Sequence, residues 1–276
     1  MNVIDCKPIR DEMLKEARER NPGGLKLVII SVEGDPASEV YIRNKVRTCE
    51  EVGIDCYVEK CPNDITVDKL RDAIVYHSCN SLVTGVILQL PLQDHLKPYE
   101  RELVDFIPWY KDVDGLSHRS VGRLWSDLPC ITPATPTGIL RLLPEDLSGR
   151  DVTIVNRSNL IGKPLIKMLL DRNATVSVCH SKTDFVSAYT YHSDVVITGI
   201  GKAEYFDELY VGHDQVWIDC GIDRNIDGKL CGDLYLDSLD GFDILVTPVP
   251  GGVGILTTAQ LMLNVIKAYE LQRVRK

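Results

Sequence analysis

Tyr41 and Lys45 lie four residues apart in the stretch SEVYIRNK, residues 38–45. On a helix that spacing sets a phenol and an amine on one face. Such a pair, taken by itself, is more often a solvated helix with one aromatic against the core, so its meaning depends on what the rest of the chain brings to it. Gln89 ends the apolar run Gly85-Val-Ile-Leu-Gln-Leu-Pro91, directly before a dipeptide whose proline stops a strand ladder, and so faces the rim of a sheet. Alone it reads as a strand-end amide bonded to loop backbone. Lys111-Asp112-Val113-Asp114-Gly115 reads as a loop in which two carboxylates flank one valine. Solvated turn acids are the ordinary explanation, and their spacing makes no metal site. They gain interest as anions at the same sheet rim as Gln89 and Lys45.

The elements that must position these groups alternate. A short amphipathic helix over 8–20 is followed by an apolar run at 27–32, the Tyr41 helix to about Val52, and a short run at 56–58. A helical segment near 67–76 and the Gln89 run come next. Strands separated by helices imply a parallel sheet with right-handed crossovers. The Tyr41 helix opens after the breaker cluster Glu33-Gly34-Asp35-Pro36, where a strand has just ended, and that junction is where open α/β sheets place their sites. Leu128 to Gly138 holds three prolines and reads as a stiff connection between domains. Beyond it come a helix over 138–143 and strands at 151–155, 174–179, 194–198, 215–220 and 242–246, with a helix over 163–171 between the first two strands. That is a βαβαβ run extended by two strands. The glycine-rich Thr247 to Gly254 then leads into an apolar-periodic helix from Thr257 to about Glu270. Its Leu261, Leu263, Val265, Ile266 and Tyr269 are too apolar to leave in water, so this helix, with Thr257 at its start, is expected to be buried.

At 276 residues, with 44% hydrophobic and 26% charged residues, the chain fits two soluble α/β domains. No apolar run is long enough to cross a bilayer, and MNVIDCKPIRDEM lacks the apolar core of a signal peptide. A net charge of −9 disfavours nucleic acid or an anionic membrane as partner and favours a small-molecule site. Nine cysteines without metal-ligand spacing read as free thiols in a reducing cytoplasm, with no metal site.

The strand at 151–155, the turn Asn156-Arg-Ser-Asn-Leu-Ile-Gly162 and the helix after it are the parts of a dinucleotide phosphate site, because free amides and the helix dipole stabilise phosphate charge. The full glycine fingerprint is missing; Arg157 and Ser158 supply a fork of donors and a hydroxyl instead. His180-Ser181-Lys182-Thr183 stands where NAD-binding folds place an acid for the ribose, and absence of that acid favours NADP.

Together these motifs resemble the bifunctional methylenetetrahydrofolate dehydrogenase/methenyltetrahydrofolate cyclohydrolase family along nearly the whole chain. They are GDPASEVYIRNK, GVILQLPL, KDVDG, ATPTG, NRSNLIGKP, ATVSVCHSKT, IDCGI and TPVPGGVG, in the family's order. The resemblance implies an α/β fold of two domains: an N-terminal folate-binding catalytic domain (1–130 plus 257–276) and a Rossmann-like NADP-binding domain (131–256), with the active-site cleft between them. It implies that Lys45 is the acid/base of the folate site, with Tyr41 beside the substrate ring and Gln89 contacting the lysine. Asp114 would hold the pterin end, with Asp112 close by. Asn156, Arg157, Ser158, Ser181, Ile222 and Thr257 fall where the family contacts NADP. It further implies tetrahydrofolate derivatives as partners, a homodimer, and a cytoplasmic place in one-carbon metabolism and purine biosynthesis. Three positions depart from the family's pattern: Asn156 at a usual glycine, Ala134 at the cysteine of its Pro-Cys-Thr-Pro motif, and Ile255 where proline is common. Two other readings compete. YIRNK also satisfies the Tyr-x-x-x-Lys pair of short-chain dehydrogenases, although in those the nucleotide fold precedes the pair. A non-catalytic folate- or nucleotide-binding regulator would account for Asn156 and Ala134, but not for the retention of Lys45, Gln89 and Asp114.

Overall fold

A computed structural model of the chain describes residues 1–274. In order, the elements are β1 (Asn2–Val3), α1 (Lys7–Arg20), β2 (Lys26–Val32), α2 (Pro36–Val52), β3 (Asp55–Cys61), α3 (Val67–Cys79), β4 (Gly85–Leu88), α4 (Glu100–Asp105), α5 (His118–Trp125) and α6 (Ala134–Leu140). They continue with β5 (Asp151–Val155), α7 (Gly162–Leu170), β6 (Thr175–Cys179), α8 (Val186–Thr190), β7 (Val195–Thr198), β8 (Gln215–Asp219), β9 (Asp223–Arg224), β10 (Leu230–Cys231), β11 (Ile244–Val246) and α9 (Val253–Val274). The chain divides into two compact units, Met1–Asp11 with Thr135–Thr257, and Glu12–Ala134 with the chain from Thr258 on. Among the described residues no helix is long and apolar enough to cross a membrane.

The second unit is built on a parallel three-stranded sheet in the order β3-β2-β4. Leu27 to Ile30 form an unbroken apolar run in β2, and both of its faces are covered: Val28, Ile30 and Val32 join a core with Leu70, Ile74, Val86 and Leu88, while Leu27 and Ile29 are buried on the other side. Such runs are the mark of parallel strands covered on both faces. From β2 the chain passes to β3 on one side and later to β4 on the other, so strand order reverses at the carboxyl end of β2. In open α/β sheets a crevice for ligands forms at that point. Within this unit α9 is buried almost all round, from Ala259 through Ile266. Its Asn264 donates to the carbonyls of Val113 (2.8 Å) and Thr132 (2.9 Å), and Gln272 donates to Thr84 O at 2.9 Å.

The first unit carries a six-stranded parallel sheet, β1-β11-β8-β7-β5-β6, and a two-stranded antiparallel ribbon of β9 and β10. Phe206, Trp217 and Leu239 anchor its core. Here the order reverses at β5, which pairs with β6 on one side and β7 on the other.

Three local features differ from the sequence expectations. Ala134–Leu140 is helical although it lies partly in the proline-rich connection. Pro136 sits in its first turn, where the missing N–H has no intrahelical role. Asn2–Val3, read with the N-terminal domain, pairs in parallel with β11 and so belongs to the six-stranded sheet. The last helix begins at Val253, so Thr257 lies a full turn inside it and its hydroxyl bonds back to Val253 O at 3.1 Å.

Candidate active site

In the three-stranded unit the breaker cluster of the sequence acts as a helix start. Asp35 Oδ2 accepts from the backbone N (3.1 Å) and the hydroxyl (2.6 Å) of Ser38, and Pro36 occupies the first helical position. This start fixes the rotation of α2, and with it the face carrying Tyr41 and Lys45. Tyr41 is 37% exposed; burial of the rest of the ring, helped by the Asp35 charge, pushes its phenol above the usual value. Gln89 follows the last residue of β4 and is only 8% exposed. Its backbone N continues the ladder to Ile30 O at 2.8 Å, which places the side chain at the reversal point. Its Nε2 donates to Leu90 O at 2.7 Å, and that bond turns Oε1 outward to accept from Lys45 Nζ at 3.0 Å. Lys45 and Gln89 are therefore brought together, with Tyr41 one turn back on the same helix face. A groove lined by Glu39, Ile42, Arg43, Val46, Val58 and Lys60 lies on the other flank of α2 and includes neither Tyr41 nor Lys45.

The two acids of the Lys111–Gly115 loop part company. Asp112 is 2% exposed, and its Oδ2 accepts from Ser117 N (2.8 Å) and Ser120 Oγ (2.7 Å) at the start of α5. Burial raises its carboxyl above the ordinary range despite those bonds. Asp114 remains half-buried. Lys111, not singled out from sequence, is buried with Nζ on Asn80 O at 2.6 Å, and burial lowers its pKa. Gly115 closes the loop at φ +69°, where an added Cβ would stand 2.9 Å from Ile131 O and Pro133 N; only glycine fits.

In the six-stranded unit the turn after β5 sits at the strand-order reversal. Asn156 Oδ1 accepts from Ser158 N (2.7 Å) and Gly162 N (3.2 Å), while its Nδ2 donates to Gly199 O after β7. Ser158 Oγ accepts from Ile161 N at 3.0 Å. Arg157 is exposed and reaches Ser181 Oγ, beyond the end of β6, at 3.3 Å; Lys182 is exposed beside it. A guanidinium, a hydroxyl and an ammonium at the ends of β5 and β6 make a donor set suited to a phosphate ester. Ile222 is exposed in the loop after β8. Thr257 donates to Thr135 Oγ1 at 3.2 Å.

Sequence reasoning missed two buried acids behind these loops. Asp233 accepts from Thr198 Oγ1 (2.8 Å), Ile200 N (2.7 Å) and Lys202 N (3.1 Å), and Asp219 from Gly221 N (2.8 Å) and Leu234 N (2.9 Å). They tie down the loops after β7 and β8. Burial pushes the Asp219 carboxyl up to about 6. For Asp219 the signal available was an acid closing the apolar run Val216-Trp217-Ile218 of β8. Among the described residues no group of three or more His, Cys, Asp or Glu is placed to hold a metal ion.

A doubly wound parallel sheet with phosphate donors at its reversal point, and a second α/β unit with an amine and amide paired at its own, define a two-unit nucleotide-dependent α/β enzyme. Residues 4–114 match the tetrahydrofolate dehydrogenase/cyclohydrolase catalytic domain and residues 133–273 its NAD(P)-binding domain. The chain belongs to the tetrahydrofolate dehydrogenase/cyclohydrolase family. It is 41% identical to the bifunctional protein FolD of Agathobacter rectalis, over 97% of this chain and 98% of that protein. Among solved structures it resembles the bifunctional FolD methylenetetrahydrofolate dehydrogenase/cyclohydrolase of Campylobacter jejuni, with 35% identity, a TM-score of 0.92 and 99% of each chain covered. It also resembles the Trypanosoma brucei methylenetetrahydrofolate dehydrogenase-cyclohydrolase, solved with NADP and an inhibitor, with 25% identity, a TM-score of 0.90, and 99% of this chain and 98% of that one covered. The short-chain dehydrogenase reading fails on organisation: Tyr41 and Lys45 belong to one compact unit and the phosphate turn to the other.

Proposed function

We propose that this chain oxidises 5,10-methylenetetrahydrofolate to 5,10-methenyltetrahydrofolate with NADP and hydrates the product to 10-formyltetrahydrofolate. The observation that carries this reading is the 3.0 Å contact between Lys45 Nζ and Gln89 Oε1 on the Tyr41 face of α2. Hydride loss from the methylene carbon needs an oriented substrate rather than a proton carrier, whereas addition of water to the methenyl cation releases a proton that a base must take. Lys45 is that acid/base group, held in place by Gln89. Tyr41 offers its ring to the flat pterin and Asp114 its carboxylate to the aminopyrimidine donors, by charge-assisted hydrogen bonds. Asp112, with its carboxylate engaged at the start of α5, holds the loop that presents Asp114.

When bound, NADP supplies the hydride acceptor. Its phosphates fit the donor set of Arg157, Ser158, Ser181 and Lys182 at the ends of β5 and β6, and the 180–183 segment after β6 holds no acid to oppose a 2′-phosphate. Ile222 and Thr257 complete the cofactor contacts, on the loop tied down by Asp219 and on α9. We further infer a homodimer that works in the cytoplasm and supplies formyl groups to purine biosynthesis. The reading is tested by incubating the chain with methylenetetrahydrofolate and NADP or NAD while following reduced nicotinamide and the methenyl product. NADP reduction followed by methenyl consumption faster than the spontaneous rate is expected. No reduction with either cofactor would overturn it.

A further inference from the structure

The turn after β5 already holds an internal occupant. Asn156 Oδ1 sits between the backbone amides of Ser158, at 2.7 Å, and Gly162, the first residue of α7, at 3.2 Å. Amides at such a strand–turn–helix junction are the donors that a dinucleotide pyrophosphate ordinarily uses. Ile161 N is likewise taken, by Ser158 Oγ at 3.0 Å, and Lys163 N by Ser158 O at 3.0 Å. The other end of the carboxamide is anchored, because Nδ2 donates to Gly199 O in the loop after β7. The side chain thus bridges the two strands that flank the reversal point, with its acceptor oxygen where negative charge is favoured. The space around it is close: a Cβ added at Gly199 would stand 3.3 Å from Asn156 Nδ2, and one added at Gly162 would press on the Asn156 carboxamide oxygen at 2.8 Å.

We propose that Asn156 is a specificity-determining residue that acts as a built-in surrogate for a cofactor phosphate. Its carboxamide orders the turn without cofactor and withholds the Ser158 and Gly162 amides from the pyrophosphate. The affinity common to NAD and NADP is thereby lowered, and discrimination falls on Arg157, Ser181 and Lys182, which are placed for a 2′-phosphate. The proposal rests on the cofactor reading given under Proposed function. It explains why a turn with a single glycine can be well ordered, since the carboxamide supplies the hydrogen bonds that a bound anion would otherwise make.

The test is calorimetric titration of the full-length wild-type chain, Asn156→Ala and Asn156→Gly with NADP and with NAD, without folate, together with melting of each cofactor-free chain. Asn156→Ala removes the carboxamide while keeping a Cβ, and Asn156→Gly guards against a strained alanine. Freeing two donors to a phosphate should tighten binding of both dinucleotides by at least about tenfold, with the NADP-to-NAD ratio unchanged within about twofold. The cofactor-free melting temperature should fall by a few degrees, as on loss of a helix cap. Unchanged or weaker binding of both dinucleotides in the two variants, or a gain confined to NADP, overturns the proposal alone. Absence of NADP binding to all three chains overturns the cofactor reading and this proposal with it.

Discussion

Gln89→Leu separates the two halves of the reaction. The substitution keeps the volume and burial of the side chain but removes both of its bonds, Oε1 to Lys45 Nζ at 3.0 Å and Nε2 to Leu90 O at 2.7 Å. A hydrogen bond to a charged group contributes about 1.5–3 kcal/mol. If that energy holds the amine where it meets the water proton, kcat/KM for hydration of methenyltetrahydrofolate falls roughly 10- to 150-fold. If, as proposed, Tyr41 and Asp114 orient the substrate for hydride transfer, the change leaves them untouched and the dehydrogenase rate should fall by about threefold or less. Folding responds separately: stranding Leu90 O costs about 1–3 kcal/mol, partly offset by leucine burial, and lowers the melting temperature by roughly 2–8 °C. The assay follows reduced nicotinamide and the methenyl chromophore in parallel, at a temperature where melting curves show the variant folded. Equal losses in both activities would mean that Gln89 is a packing residue only, and hydration at the wild-type rate would remove it from the mechanism.

Lys45→Met should abolish hydration while leaving the melting temperature and NADP affinity nearly as they are; unchanged hydration would exclude Lys45 as the proton carrier. Arg157→Ala should weaken NADP by roughly tenfold through loss of a charge-assisted bond and leave NAD nearly unaffected, and an equal loss for both would place Arg157 on a phosphate they share. Asp219 predicts a pH dependence of folding. Burial holds its folded pKa at about 6, above the ordinary carboxylate value of 3.8, so the folded state holds the proton more tightly. Relative to neutral pH its contribution is fully present below about pH 4 and is lost as pH rises through about 6, by about 3 kcal/mol at most. Denaturant titrations from pH 4 to pH 7 should show wild-type stability falling relative to Asp219→Asn, and a difference that is flat with pH would show that the Asp219 carboxyl titrates normally.

Much of this was legible in the sequence, and for identifiable reasons. Alternating apolar runs and helical segments report a parallel sheet because both faces of each strand must be covered, as Leu27 to Val32 are. Asp35-Pro36 marks the start of α2 because a capping carboxylate and a proline suit a helix amino terminus and little else. What stayed hidden depends on partners distant in sequence. Asn2–Val3 is too short to show a period, and only β11 makes it a strand. The glycines before Thr257 suggest a turn, but burial carries the helix back through Gly254 to Val253. Asp112 and Asp114 look equivalent in KDVDG, yet only the first meets the amides and hydroxyls at the start of α5. Asp219 and Asp233 have no periodic signal, since their partners are backbone amides of loops ordered only in the folded chain.

Two carboxamides, one in each unit, show how one local device gives two different outcomes. Gln89 and Asn156 each stand directly after the last residue of a strand at a reversal of strand order, in separate units. Each donates its NH2 to a loop carbonyl, Gln89 to Leu90 O and Asn156 to Gly199 O, which fixes where its oxygen points. The longer Gln89 side chain carries its oxygen away from the backbone, and the acceptor is left for an amine delivered by the neighbouring helix. The shorter Asn156 keeps its oxygen beside the turn, where Ser158 and Gly162 amides take it. The side-chain length thus goes with the donor each oxygen meets: a lysine amine for Gln89, turn amides for Asn156. Position at the sheet rim alone does not decide what a strand-end carboxamide binds; the direction of its acceptor, set by the bond its other end makes, does.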